Sequence, residues 1–373
     1  MELLLIQSQE HDTLPIAELR AVLESEEISG EIEIISQGLL ILKSIEEDLF
    51  DETYKILVKR LAYTHEIDQV IFSKELTDLN SYFDIEEIEG SDITINNINN
   101  SCDVLNSVAY DFNNIDWEKY IENDFALRIK RFDNVNIDTI KCERKLGGII
   151  KIASDHFSVN LNNPSSFIRF VVSSSNIYIC VRKYDINKKH FYNIKPHKRP
   201  FFYPGSMSPK LARCMVNLSK IKEGETLLDP FCGTGGILIE GGLIGAKLIG
   251  SDIQWKMKNG TGINLDYCNL KDYELYHLDV RELKLIKKVD AVVTDPPYGI
   301  STSTGGEESH IIFHQFLDSI SKNMKKDALL CMASPHYLDL DSILNDLDFE
   351  LLERHHIKMH KSLTRIISVI RKI

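Results

Sequence analysis

Nothing in this chain of 373 residues stays apolar long enough to span a bilayer. A membrane helix needs roughly 20 such residues in a row, so that class is excluded. The N-terminus, Met1-Glu-Leu-Leu-Leu-Ile6, lacks the basic start and small-residue cleavage site of a secretory signal, and a cytoplasmic protein is expected. The seven cysteines (Cys102, Cys142, Cys180, Cys214, Cys232, Cys268 and Cys331) are scattered, odd in number and without a C-x-x-C pair. That excludes a disulfide framework and a zinc ribbon, and free thiols in a reducing compartment are expected. No metal site is expected either. His355, His356 and His360 stand close together, but no Cys or carboxylate set completes a ligand shell, and they read as the polar face of a strand. Positive charge is also short: 43 Lys and Arg stand against 56 Asp and Glu, a net charge of −13. Taken whole, that argues against a polyanionic partner. The distribution says otherwise. Residues 1–115 carry a net −19, residues 205–373 a net −1, and residues 116–204 a net +7.

What is present begins with a small module. Leu3 to Gln7 is an apolar run, and Asp12 and Thr13 are helix-capping types with Pro15 suited to a first turn. Ile16, Leu19 and Leu23 follow at helical spacing. Glu31 to Ile35 alternates, Gln37-Gly38 turns into Leu39 to Lys43, and Asp51 to Tyr63 reads as a second helix. A split β-α-β, ferredoxin-like arrangement is the natural outcome. Residues 86–106 are polar and Asn-rich and read as a loop. Phe125 to Phe132 and Ile177 to Arg182 read as strands, with a helix expected to start near Pro164-Ser165-Ser166. His190 to Pro204 is dense in Lys, Arg, Pro and aromatics, a stiff and positive linker.

From residue 226 apolar strand runs alternate with helical stretches, at Thr226 to Asp229, Lys247 to Asp252, Tyr273 to Asp279, Val289 to Asp295 and Asp327 to Ser334. That alternation predicts an α/β domain with a parallel sheet built by crossovers. Further strands near Phe349 to Met359 and Arg365 to Ile370 predict seven strands ending in a hairpin.

Four of those strands end in Asp: Asp229, Asp252, Asp279 and Asp295. Ligands of open α/β sheets bind at the carboxyl ends of strands, so the four carboxylates are expected to converge on one crevice. Pro230-Phe-Cys-Gly233-Thr-Gly235-Gly236 after Asp229 lets backbone pass close to a ligand, without the G-x-G-x-x-G of a dinucleotide site. Asp252 follows Asp229 at the interval where an acid accepts ribose hydroxyls, and Asp279 could accept from an adenine amine. Asp295-Pro296-Pro297-Tyr298-Gly299 is the sharpest signal. The Asp295 carboxylate and Pro296 carbonyl can grip the two hydrogens of an exocyclic amine, while Tyr298 offers a flat face to an extruded base. Such catalysis is positioning plus electrostatics.

These motifs, in this order, resemble class I S-adenosylmethionine-dependent amino-methyltransferases, and Phe202-Tyr-Pro204-Gly-Ser206-Met207 resembles the family's upstream cofactor motif. Phe125 to Phe132, Val159 to Phe167 and Lys195 to Pro204 resemble a THUMP domain and its exit. Arg199 to Leu218 and His360-Lys-Ser-Leu-Thr-Arg365 resemble the archaeal tRNA (guanosine-10 N2) methyltransferase family, so the likeness covers nearly the whole chain. It implies a ferredoxin-like domain at 1–72, a THUMP domain at 73–189, a basic linker at 190–205, and a Rossmann-like methyltransferase domain with a seven-stranded, mostly parallel sheet at 206–373. It implies S-adenosylmethionine held by Pro204, Ser206, Met207, Asp229, Phe231, Cys232, Gly233, Thr234, Gly235, Asp252, Ile253, Asp279 and Val280. Catalysis falls to Asp295, Pro296, Pro297 and Tyr298, and a tRNA grip to Arg128, Lys130, Arg131, Arg144, Lys145, Arg169, Lys195, Lys198 and Arg199. One or two methyl groups on N2 of guanosine 10 are implied. Guanosine 6 of tRNA or ribosomal RNA are alternative targets, and a non-catalytic RNA-binding scaffold is the reading from another class. DNA is not an expected partner, and some family members work with a small activator protein. The stretch from Ile300 to Gly306 starts apolar where a basic residue is expected.

Overall fold

The computed structural model describes residues 1–76, 111–298, 305–360 and 363–373. The Asn-rich 86–106 segment, and the 300–304 part of the stretch after the catalytic motif, lie outside them. Two compact units result: residues 1–7, 30–55 and 65–186 form one, and residues 8–29, 56–64 and 187–373 the other.

The first unit is one mixed sheet. Its strands are β1 (Leu3–Gln7), β2 (Glu31–Ser36), β3 (Leu39–Lys43), β4 (Thr64–Glu75), β5 (Asp124–Arg131), β6 (Ser158–Val159), β7 (Ser166–Val172) and β8 (Asn176–Arg182). They lie in the order β2-β3-β1-β4-β8-β7-β5-β6. The predicted β2–β3 hairpin forms, with Gly38 at φ 80° in the left-handed region that its turn demands. The 12-residue β4 lies between β1 and β8, so the N-terminal strands share a sheet with the strands that follow instead of closing a separate 1–72 module. The helix expected at Pro164-Ser165-Ser166 is β7. Ser166-Phe-Ile-Arg-Phe-Val-Val is β-branched and aromatic and almost wholly buried, which suits an inner strand of the sheet better than a helix. The helix lies earlier, at Thr139–Ala153, where Asp138 caps it by accepting from the Lys141 amide at 3.0 Å. Its Cys142, Leu146 and Ile150 pack with Trp117, Phe125 and Phe170 in a core whose residues are buried.

The second unit is the doubly wound part. Its strands are β9 (Thr226–Asp229), β10 (Lys247–Asp252), β11 (Tyr273–His277), β12 (Val289–Thr294), β13 (Met324–Pro335), β14 (Phe349–His360) and β15 (Leu363–Lys372). The order is β11-β10-β9-β12-β13-β15-β14. β9 to β13 pair in parallel, and β15 runs antiparallel between β13 and β14. The seven-stranded sheet with a terminal hairpin is as expected. Helices α1 (Leu14–Ser25), α2 (Pro209–Leu218), α3 (Gly236–Leu243), α4 (Trp255–Tyr267) and α5 (Gly305–Asn323) include those that flank it. α2 starts on Ser208, whose hydroxyl accepts from the Leu211 amide at 3.3 Å, with Pro209 in its first turn.

α1 belongs to this second unit, and buried polar groups fasten it there. The Glu18 carboxylate accepts from the Ala62 and Tyr63 amides and from Asn217 Nδ2 at 2.8 Å. Arg60 Nε donates to Asn217 Oδ1 at 3.0 Å, and Arg60 Nη2 donates to the Ile221 carbonyl at 3.1 Å. Burial raises the Glu18 carboxyl above its ordinary range, opposed by these donors. Among the described residues no helix is long and apolar enough to cross a membrane, and no His/Cys/Asp/Glu cluster could hold a metal ion. The six described cysteines are free. His355 lies on β14, sharing hydrogen bonds with Thr13 Oγ1 at 2.9 Å and Glu353 at 3.1 Å.

Candidate active site

Strand order reverses between β9 and β12, and the chain leaves their carboxyl ends in opposite directions. A crevice is forced at such a point. A cleft of ≈ 480 Å³ occupies it, within the range of about 300–1,000 Å³ that suits a nucleotide-sized ligand.

One wall comes from the turn after β9. Gly233 and Gly235 sit at φ 53° and 77°, a region that side-chain-bearing residues adopt at a cost. A Cβ on Gly235 would also come within 3.0 Å of the Thr261 methyl. The turn is pinned from α4: Thr261 Oγ1 donates to the Gly233 carbonyl at 2.9 Å, and Asn264 Nδ2 donates to the Thr234 carbonyl at 2.9 Å. The same Asn264 pairs with both backbone groups of Phe201, donating to its carbonyl at 2.8 Å and accepting from its amide at 3.0 Å. One buried side chain therefore joins the upstream strap, the glycine turn and α4. Ser206 from that strap shares a hydrogen bond with Thr234 Oγ1 at 3.1 Å.

The carboxylates differ sharply. Asp229 is buried; it accepts from Thr294 Oγ1 at 2.7 Å and from the Phe231 amide at 3.2 Å. Burial pushes its carboxyl up to about 7, the hydroxyl and amide pull against that, and repulsion from Asp252 and Asp295 adds to the rise. Asp252 accepts from the Gly233 amide at 3.0 Å and the Gln254 amide at 2.8 Å, which aims the carboxylate at the cleft. Asp295 accepts from the Tyr298 hydroxyl at 2.9 Å, and Arg365 Nη2 lies 3.4 Å from its other oxygen. Burial lifts the Asp295 carboxyl, and the Arg365 charge and Tyr298 hydroxyl oppose it.

Most of the sequence-predicted residues meet in this one cleft. Pro204, Ser206 and Met207 line it, as do Asp229, Phe231, Cys232, Gly233 and Thr234. Asp252 and Ile253 come from β10 and its exit, and Asp295, Pro296, Pro297 and Tyr298 from the exit of β12. Gly235 shapes the turn without lining the cavity. Asp279 and Val280 do not line it: the Asp279 carboxylate is taken by its neighbour Arg281, at 2.6 Å from Nη2 and 2.9 Å from Nε, and Val280 is buried.

The proposed tRNA grip divides. Lys130, Arg131, Arg144, Lys145 and Lys195 are exposed, while Arg128 is half-buried and pairs with Glu143 at 3.0 Å. Lys198 lies 3.1 Å from the centre of the exposed Tyr192 ring, and Lys195 5.3 Å from it. Two residues do not sit as a phosphate contact requires. Arg169 is buried on β7 and ion-paired with Glu66 at 2.6 Å, and Arg199 is buried with its Nε donating to the Ile194 carbonyl at 2.8 Å. A charge count along the sequence does not separate a solvated cation from one sealed in a core.

Residues 196–367 match the family described as "RMKL-like, methyltransferase domain", and residues 106–182 match the THUMP domain. Over its full length the chain is 44% identical to the tRNA (guanine(10)-N2)-dimethyltransferase of Methanothermobacter thermautotrophicus, covering all of both chains. It is 36% identical to the enzyme of that name from Methanocaldococcus jannaschii, over 98% of each.

The chain belongs to the tRNA (guanine(10)-N2)-dimethyltransferase family.

The fold of this methyltransferase is shared with TrmN from Thermus thermophilus, at a TM-score of 0.58 and 16% identity over the whole of both chains. It is also shared with SMU.472, a methyltransferase solved with SAH, at 0.51 and 11% over 98% and 97% of the two chains.

Sequence reasoning missed three side chains that build or line this cleft. Thr261 and Asn264 are polar positions on the buried side of α4, and the signal for them was a Thr and an Asn three apart facing the glycine turn. Arg365 lies in the segment from His360 to Arg365, which carries a family resemblance and no chemical motif of its own. It brings a basic group to the cleft from the terminal hairpin, where one was expected from residues 300–306.

Proposed function

We propose that this enzyme transfers one or two methyl groups from S-adenosylmethionine to the exocyclic N2 of guanosine 10 in tRNA. The observation that carries the reading is the meeting of the glycine turn, Asp252 and the Asp295-Pro-Pro-Tyr298 loop in one cleft. The full-length likeness to enzymes named for guanine 10 supports the target.

The residues present fit the cofactor. Asp252 offers a carboxylate where ribose hydroxyls can donate, Ile253 and Met257 offer apolar walls for an adenine, and Pro204 to Met207 close the far side near Thr234. S-adenosylmethionine, when bound, supplies a methyl group on a positively charged sulfur. The chain's own groups do the rest. Tyr298 stacks against the extruded guanine, fixing its plane. In the first transfer Asp295 and the Pro296 carbonyl accept the two N2 hydrogens, and in the second one of them accepts the hydrogen that remains, which draws the nitrogen toward tetrahedral geometry and aims its lone pair. The nitrogen sheds one proton for each methyl it gains, and Asp295 is the carboxylate placed to take it. No covalent intermediate is needed, so the rate comes from alignment and from fixed charge. The exposed basic residues of the 116–204 segment supply phosphate contacts for tRNA.

The test is methylation of an unmodified tRNA transcript with labelled S-adenosylmethionine, followed by mass spectrometry of the nucleosides. N2-methylated guanosine at position 10 is expected, lost when guanosine 10 is changed to adenosine and lost in Asp295→Ala. Undiminished transfer after the base change, as a guanosine 6 or ribosomal RNA target would give, refutes the site; an active Asp295→Ala enzyme refutes the mechanism.

A further inference from the structure

Arg365 is tied entirely to the two side chains assigned to the base. Its Nε donates to the Tyr298 hydroxyl at 2.8 Å, and its Nη2 stands 3.4 Å from Asp295. The Tyr298 hydroxyl in turn donates to the other Asp295 oxygen at 2.9 Å. The three groups close a ring. A guanidinium has donors and no acceptor, so the Tyr298 hydroxyl proton has one acceptor within the ring, Asp295. The guanidinium also lies 5.8 Å from the centre of the Tyr298 ring. Backbone pairing fixes where this arginine stands: Arg365 on β15 is opposite Pro335, at the carboxyl end of β13 and so at the ligand-binding edge of the sheet.

We propose that Arg365 is a positioning residue for methyl transfer, clamping the Tyr298 hydroxyl and the Asp295 carboxylate so that base platform and amine acceptor hold one relative geometry. This rests on the reading of Tyr298 and Asp295 given above.

Two consequences follow from its charge and its fork. The groups acting on Asp295 are Tyr298 from its own loop, Arg365 from β15 and the carboxylate of Asp229 from the end of β9. Arg365 is the cation of that set. An amine is gripped by an ionised Asp295, and burial works against ionisation. Removing the guanidinium therefore moves the acid limb of the rate profile to higher pH. Removing it also frees the Tyr298 ring to rotate away from the stacking plane.

The experiment uses the full chain in single-turnover methylation of an unmodified tRNA transcript, with tRNA and S-adenosylmethionine saturating. The variants are Arg365→Gln, Arg365→Lys, Tyr298→Phe and the Gln/Phe double. Arg365→Gln is expected to slow the step by about 10–100-fold, with tRNA affinity by filter binding and the melting shift by S-adenosylmethionine unchanged. Its acid limb should move to higher pH. Arg365→Lys should restore the acid limb, because charge is kept, while recovering the rate only in part. The double variant should be no slower than the slower single, because both changes break one unit. A full rate in Arg365→Gln overturns the proposal. So does a loss confined to tRNA affinity, which would make Arg365 a phosphate contact, and so do penalties that multiply. If Arg365→Gln does not fold, Arg365→Lys and Tyr298→Phe carry the comparison. A wild-type enzyme inert on guanosine 10 would instead refute the function proposed above, independently of Arg365.

Discussion

Replacing Asn264 by alanine separates the cleft from the helix that holds it. Three hydrogen bonds go at once, at 2.8, 2.9 and 3.0 Å, and the donor and acceptors they leave belong to the backbone of Phe201 and Thr234. Asn264 is fully buried, so water does not replace it easily. At about 1 kcal/mol net for each bond the loss is about 3 kcal/mol. For a unit of this size that is a fall in Tm of roughly 6–12 °C. Because the strap and the glycine turn are released together, the melting shift produced by S-adenosylmethionine should shrink as well. Asn264→Asp sharpens the test. It keeps the acceptor for the Phe201 amide but turns the donor into an oxygen facing two carbonyl oxygens. It should cost at least as much as alanine at pH 7.5, although it is nearly isosteric. Thermal and urea melts of the three proteins, with and without S-adenosylmethionine, decide the matter. An Asn264→Asp protein as stable as wild type, or an alanine variant with an undiminished cofactor shift, would refute the argument.

Asp229→Asn probes the buried carboxyl. Its folded value of about 7 lies above the roughly 4 of an unfolded chain, so folding favours the protonated form and the charge costs stability as pH rises from about 4 to 7. The variant should gain nothing below about pH 4 and about 4 kcal/mol at pH 8, measured by urea melts across pH; a gain that does not vary with pH sinks the assignment. Gly260→Ala would set a Cβ 2.0 Å from the Phe201 ring, so the strap must move and S-adenosylmethionine affinity by calorimetry should fall with it. Arg60→Ala leaves buried Asn217 and the Ile221 carbonyl without a donor and should destabilise the second unit by about 3–5 kcal/mol in urea melts. Changing Lys130, Arg131, Arg144 and Lys145 to Gln should weaken tRNA binding and flatten its salt dependence, with the melting shift by S-adenosylmethionine unaffected.

The catalytic half was legible because its pattern repeats. β9 and β10 end in an Asp and β12 is followed at once by one, and parallel strands deliver their carboxyl ends to one edge. β11 broke that rule. It ends at His277, and Asp279 caps a short turn while holding Arg281, so spacing along the chain did not translate into a place in the cleft. Ser166–Val172 is a strand, yet Pro164-Ser165 carries the pattern of a helix start. The β-branched run after it was the better guide, since packing on both faces overrides a capping signal. Asn264 and Arg365 were hidden for a different reason. Each acts across a gap in sequence, to Phe201 and Thr234 in one case and to Asp295 and Tyr298 in the other, and such meetings are set by the sheet register and not by local pattern.

The chain passes between its two compact units five times, because residues 8–29 and 56–64 belong with the catalytic unit while the segments around them do not. This orders events during synthesis. Glu18 leaves the ribosome 199 positions and Arg60 157 positions before Asn217, the residue that receives them both, so helix α1 must wait for that contact until the chain is more than half made. The same threading limits where the gene can be cut. A fragment starting at residue 187 would keep every side chain of the cleft yet strand a buried asparagine and the apolar surface that α1 covers. The chemistry is carried by the last half of the protein, but its folding information begins near residue 8.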